Sequence, residues 1–164
     1  MKIKLSQVFL ASALITGCAG NEMYVPPGSE SGSATLEFSG ILNRTMSGAI
    51  FFTNGNNCTG NTRLPAKYDP FTGNAEPLPI PINQKVSVLR NYAYGYPMRV
   101  SCEVVISFTP ALGEKYKSQF EATEKGCSGS IQVFDKAAQK WVSEPTSEKR
   151  QYNLPVFNDG PWCK

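Results

Sequence analysis

The chain contains no histidine, which removes the commonest general base and with it the Ser-His and Cys-His dyads of nucleophilic catalysis. Lysine- and carboxylate-based chemistry stays open. The carboxylates that could work together are Glu103 and Glu121: if residues 98–109 and 115–123 are the arms of a hairpin closed by 110–114, the two face each other. Carboxylates that close can raise one pKa and serve acid–base work. Two solvated surface acids, or a register slipped by two residues to relieve the like-charge pair, are the stronger readings. An open sheet face is also the wrong place for a water-excluded site. No catalytic residue is assigned, and the chain is expected not to be an enzyme.

Binding chemistry has a better candidate. Tyr92, Tyr94 and Tyr96 alternate, and alternate tyrosines at a strand end can form a stacking platform for sugars or a hot spot for a protein partner. Filling one end of a core or shielding a strand edge competes with that reading, because tyrosine serves readily in sheets. Trp141 and Trp162 read as core or end-cap residues. Four cysteines, Cys58, Cys102, Cys127 and Cys163, remain once Cys18 is set aside. An even count in an exported chain suggests two disulfides with three connectivities. Zinc is the weaker explanation: there is no C-x-x-C and no histidine. No metal and no cofactor is expected.

Cys18 belongs to a different feature. Lys2 and Lys4 start a short, mostly apolar run over residues 5–15, about half the ~20 residues that a membrane-spanning helix needs. Basic start, short apolar stretch and small residues describe an export signal. It ends Leu14-Ile15-Thr16-Gly17-Cys18, which resembles the bacterial lipobox. The resemblance implies cleavage after Gly17 and lipid on Cys18, so that the chain is anchored to a membrane rather than spanning it. Ala19 follows where an Asp commonly marks inner-membrane retention in Gram-negative bacteria. By that resemblance the protein sits on the outer membrane, its domain in the periplasm or at the cell surface. Residues 18–33, rich in Gly, Ser and Pro after the Cys, read as a flexible tether.

Removing residues 1–17 from 164 leaves 147, enough for one domain with a real core and not for two. Without Lys2 and Lys4 the 16 basic residues fall to 14 against 13 acidic, a net charge of about +1. No basic patch survives, which argues against nucleic acid as a partner.

The elements that must position these residues are strands. Val100, Cys102, Val104, Ile106 and Phe108 alternate with Arg99, Ser101, Glu103, Val105 and Ser107, a period of two that places the first set on one buried face and the second outward. Val86, Val88, Arg90, Tyr92 and Tyr94 share a face in the same way. Further strands are expected at 34–40, 49–53, 127–134, 140–143 and 152–157. Residues 60–81 carry five prolines, which exclude a helix and a central strand; with Asp69-Pro70 as a turn starter, they read as a long loop of the kind that is often functional. No segment keeps a 3.6-residue period over three turns. The fold class is all-β, an antiparallel β-sandwich of about seven to eight strands occupying residues 34–164. Residues 105–116, a strand ending in Phe-x-Pro followed by Gly-x-x-Tyr, resemble a hairpin of small bacterial envelope lipoproteins with a transthyretin-like sandwich.

In the expected meander Cys102 lies two strands from Cys127, about 9.6 Å away at sheet spacing, beyond the ~7 Å reach of a disulfide. A Cys102–Cys127 bond is therefore disfavoured, and Cys58 and Cys163 should each take one of the two. Two functions fit these expectations. The first is a non-catalytic binding or assembly module of the outer membrane, with a protein partner or a cell-wall ligand. The second is an envelope-protective inhibitor of a lytic enzyme or protease, with residues 60–81 as the inserting element.

Overall fold

The period-two stretches form strands. The computed structural model describes residues 23–28, 32–42, 46–64, 69, 71–94, 99–123, 126–154 and 160–164; the export signal, Cys18 and Tyr96 lie outside them. Ten strands run through the described residues: β1 (Ala34–Leu42), β2 (Met46–Asn54), β3 (Thr59–Arg63), β4 (Ala75–Ile80), β5 (Val86–Tyr94), β6 (Arg99–Phe108), β7 (Lys115–Thr123), β8 (Gly126–Asp135), β9 (Lys140–Ser143) and β10 (Glu148–Arg150). They make two five-stranded sheets, ordered β4-β1-β7-β8-β9 and β10-β6-β5-β2-β3. The sheets pack face to face as an all-β sandwich. Every pairing is antiparallel except that of β1 with β7, which is parallel. The expected number of strands was too low because β3 and β10 have only five and three residues, too few to show an alternation, and because β4 hides among prolines.

Between the sheets lies one apolar cluster, with Leu36, Phe51, Ile80, Val86, Phe108 and Ile131 at its centre. Removing each of these side chains from water contributes about 1.5–3 kcal/mol. From Val86 to Tyr92 in β5 and from Cys102 to Phe108 in β6 the inward faces are those read from the alternation; beyond them the register between the two strands shifts.

The pairing of β6 differs from expectation. It lies between β5 and β10, whereas β7 lies between β1 and β8. The link between them crosses from one sheet to the other instead of closing a hairpin. Pro110 is buried there, Ala111 N–H donates to the Tyr116 hydroxyl at 2.9 Å, and the Phe108 and Tyr116 rings meet at 5.1 Å. A period of two says which residues face the core but not from which sheet they face it.

The crossing overturns two expectations. Cys127 pairs in register with Ala122 of β7, and Cys102 sits across the sandwich on β6. Their Cα atoms are 6.0 Å apart and the two are bonded, so the bond thought disfavoured is present. Cys58 and Cys163 form the second disulfide, Cα–Cα 5.4 Å. Glu103 is now opposite Asn91, while Glu121 is opposite Ser128 in the other sheet. The carboxylate pair does not form.

The outer face of the β10-β6-β5-β2-β3 sheet is also covered. Phe52, Leu89 and Val105 form a second apolar cluster with Cys58 and Cys163, against which Tyr152 and Trp162 pack. The C-terminal chain is fixed there by the disulfide and by reciprocal bonds between Gln151 and Lys164. Arg150 donates to the carbonyls of Asn56 (2.8 Å) and Lys164 (3.2 Å). Val105, expected to point outward, is therefore buried.

Two further expectations change at the other sheet's edge. Residues 75–80 are the edge strand β4, not loop, pairing with β1 alone. Pro79 lies opposite Thr35, whose own N–H is bonded to Glu114 on the β7 side, and Pro77 falls where the register with β1 shifts; an edge strand tolerates proline at both kinds of position. Residues 23–28 lie along this edge. Tyr24 is buried, its ring 5.1 Å from that of Phe51, and its hydroxyl donates to the Pro79 carbonyl at 2.9 Å. Burial raises the Tyr24 pKa well above the ordinary phenol range. The packed domain thus includes residues 23–28, which had been expected within the tether.

Candidate functional site

The turn that feeds β4 spans Asp69–Asn74, and its geometry follows from one aspartate. Asp69 Oδ1 accepts the N–H of Phe71 at 2.8 Å and that of Thr72 at 3.4 Å, and Oδ2 accepts the Thr72 hydroxyl at 2.9 Å. Aspartate favours turns for this reason: its carboxylate reaches the backbone two residues on. The Phe71 N–H, followed by the Thr72 hydroxyl, holds the Asp69 carboxyl below the usual carboxylate range. Backbone bonds close the turn: Asp69 N–H to Asn74 O at 2.9 Å, and Gly73 N–H to Asp69 O at 2.8 Å. Gly73 has φ +69, a conformation that glycine adopts without steric cost.

The rest of the domain then fixes the turn in place. Gly40 of β1 donates its N–H to Asn74 Oδ1 at 3.1 Å. A Cβ on Gly40 would come within 2.6 Å of the Thr72 carbonyl, so only glycine lets the turn lie this close to β1. From β5, Arg90 Nη2 donates to the Gly73 carbonyl at 2.8 Å. Arg90 is 2% exposed, and a buried charge is tolerated only where hydrogen bonds replace water. Its Nη1 donates to the Ser118 carbonyl at 3.1 Å and the Ser39 carbonyl at 3.4 Å. The guanidinium also lies 5.4 Å from the Phe38 ring centre and 5.1 Å from that of Phe120, within cation–π range.

The outcome is an aromatic side chain held out into water. Phe71 is 67% exposed at the tip of this turn. Along β4 itself an apolar pocket of about 200 Å³ opens, lined by Pro26, Phe38, Leu64, Ala75, Pro77 and Leu78, among others. That is smaller than the ~300–1,000 Å³ of sites for small molecules and has the size of a single side chain. Turn and pocket offer shape and apolar area rather than reactive groups. Among the described residues no cluster of three or more His, Cys, Asp or Glu could hold a metal ion, and no helix is long and apolar enough to cross a membrane.

The residues singled out from sequence lie elsewhere. Tyr92 is 4% exposed and packs with Phe120 and Ala122, its hydroxyl donating to the Thr123 carbonyl at 3.1 Å. It fills one end of the core, so it offers no face to a ligand. Tyr94 follows in β5, and Tyr96 falls outside the described residues. Trp141 is on the outer face of its sheet, with the Lys117 ammonium 4.0 Å from its ring centre and Glu37 2.9 Å from Lys117. Trp162 caps the second cluster as expected. Phe71 and Arg90 were not singled out as functional residues, although Asp69-Pro70 had been read as the start of a turn. No family model, no curated protein and no solved structure matches the chain.

Proposed function

We propose that this chain is a non-catalytic binding module of the bacterial envelope, anchored to the outer membrane by lipid on Cys18 and engaging a protein partner through the Phe71 turn. The observation that carries the reading is Phe71 itself. A large aromatic in water is unfavourable, and seven hydrogen bonds from the turn, β1 and β5 hold this one there. An anchor ordered in advance loses little entropy on docking, which is how a few residues come to dominate an interface. The absence of histidine in the sequence and the apolar character of the pocket favour binding over catalysis. Neither a cofactor nor nucleic acid enters this reading.

A second reading rests on the same turn. An aromatic on a fixed, protruding loop also suits an inhibitor that inserts into the cleft of a lytic enzyme or protease. Crosslinked envelopes distinguish the two: a resident multi-protein complex, or a cell-wall ligand, supports the module, and capture of an added lytic enzyme supports the inhibitor. Phe71→Ser should leave stability within about 0.5 kcal/mol, as for most surface substitutions, and abolish recovery of the partner in either case. Undiminished recovery would remove the turn from the interface. Cys18→Ser should move the protein from the membrane pellet to the soluble fraction, and continued pelleting would refute the anchor.

A further inference from the structure

We propose that residues 23–28 form a short strap that seats the domain against the bilayer carrying its anchor, with Met23 and Val25 entering the lipid interface. The inference rests on the reading of Cys18 as the lipidated residue. A tether running to residue 33 would let the domain range ~20 Å from its anchor as a flexible coil. The packing of Tyr24 shortens it. Tyr24 is in the core cluster, bonded to the Pro79 carbonyl and in edge contact with Phe51, so the domain is held from that point on. Between Cys18 and Met23 are five residue steps, which reach at most ~17 Å when fully extended. The edge of β4 therefore stays close to the headgroups.

The residues beside Tyr24 suit that position. Met23 is 55% exposed and Val25 82%, and the three alternate as in any extended segment: Tyr24 toward the domain, Met23 and Val25 away from it. Singly exposed apolar residues need no explanation, but these two share one side of a segment that begins five steps from the acylated residue. Burying them in the interfacial region adds apolar contact to the anchor, the two-signal arrangement that makes membrane attachment firm. The surface is then occupied by lipid and not by the partner that the Phe71 turn engages. That turn joins β4 at Ala75, the opposite end from Pro79.

The test uses the full lipoprotein, with an environment-sensitive fluorophore on Val25→Cys or, as control, on Lys149→Cys of β10. Each is reconstituted in phosphatidylethanolamine–phosphatidylglycerol vesicles containing nitroxide-labelled lipid. The probe at position 25 should be quenched at least about threefold more than that at position 149 and should emit to the blue, as expected for interfacial insertion. Equal, weak quenching at both positions, with mass spectrometry showing lipid on Cys18, would overturn the strap and leave the anchor standing. An unmodified Cys18 would overturn both. A strap covered by protein instead of lipid would also give equal, weak quenching, because these vesicles contain no partner.

Discussion

Replacing Cys58 and Cys163 together by alanine is expected to cost the domain about 4.7 kcal/mol, against about 3.5 for the Cys102/Cys127 pair, from the closed-loop entropy of the unfolded chain. The difference comes from loop length: the first bond joins residues 105 apart, the second residues 25 apart. The larger loss has a local signature as well. Cys58–Cys163 holds the C-terminal chain over Phe52, Leu89 and Val105, and without it Trp162 should become solvated. Denaturant melts of the two double variants, followed by tryptophan emission, measure both effects. A smaller loss on removing Cys58–Cys163 than on removing Cys102–Cys127 would show that the C-terminal layer is held by contacts other than the bond. An unchanged emission maximum would point the same way.

Arg90→Met should destabilise by about 3 kcal/mol, and Arg90→Lys should not rescue it. The sign needs argument, because replacing a buried ion pair by apolar residues is often neutral or stabilising. That result depends on removing both partners. Here the acceptors include the backbone carbonyls of Gly73, Ser118 and Ser39, which remain when the guanidinium goes. Each buried acceptor left without a donor costs about 1–3 kcal/mol, while methionine recovers most of the apolar contact with Phe38 and Phe120. Lysine keeps the charge but is a single point that cannot replace the planar fork. For a domain of this size 3 kcal/mol corresponds to roughly 10 °C in the unfolding midpoint. A midpoint within about 2 °C of the parent would mean that water or repacking satisfies those carbonyls. Faster amide exchange at Gly73 in Arg90→Met would also connect the core to the Phe71 turn, and recovery of the partner should then fall even though Arg90 does not reach the surface.

What could be read in advance was local. Val86, Val88, Arg90 and Tyr92 were assigned to one face from their spacing, and all four face the core. The conflict in that list, a charged residue among apolar ones, was visible too. Its resolution was not, because the acceptors come from residues 39, 73 and 118, which nothing short-range connects. Strand partners failed for a related reason. Phe108 and Tyr116 contact each other whether their strands form a hairpin or belong to opposite sheets, so the alternation is the same in both. The cysteine pairing, derived from the hairpin, failed with it. Residues 60–81 were correctly denied a central strand, but prolines two apart are compatible with an edge, and β4 is one. At the candidate site the Asp69-Pro70 signal located the turn; the exposure of Phe71 depends on Gly40 and Arg90 holding that turn from outside.

The parallel pairing of β1 with β7 bears on the order in which the chain can assemble. β1 is central, flanked by β4 and β7, and its register with β7 runs from Thr35↔Lys115 to Leu42↔Ala122. A chain delivered N-terminus first therefore presents Leu36 and Phe38 long before β7, which pairs with their strand, has arrived. Long-range pairing of this kind is slow to form and leaves open edges meanwhile. The front of the molecule is thus the part most in need of protection in transit, and it becomes fully paired only when most of the chain is present.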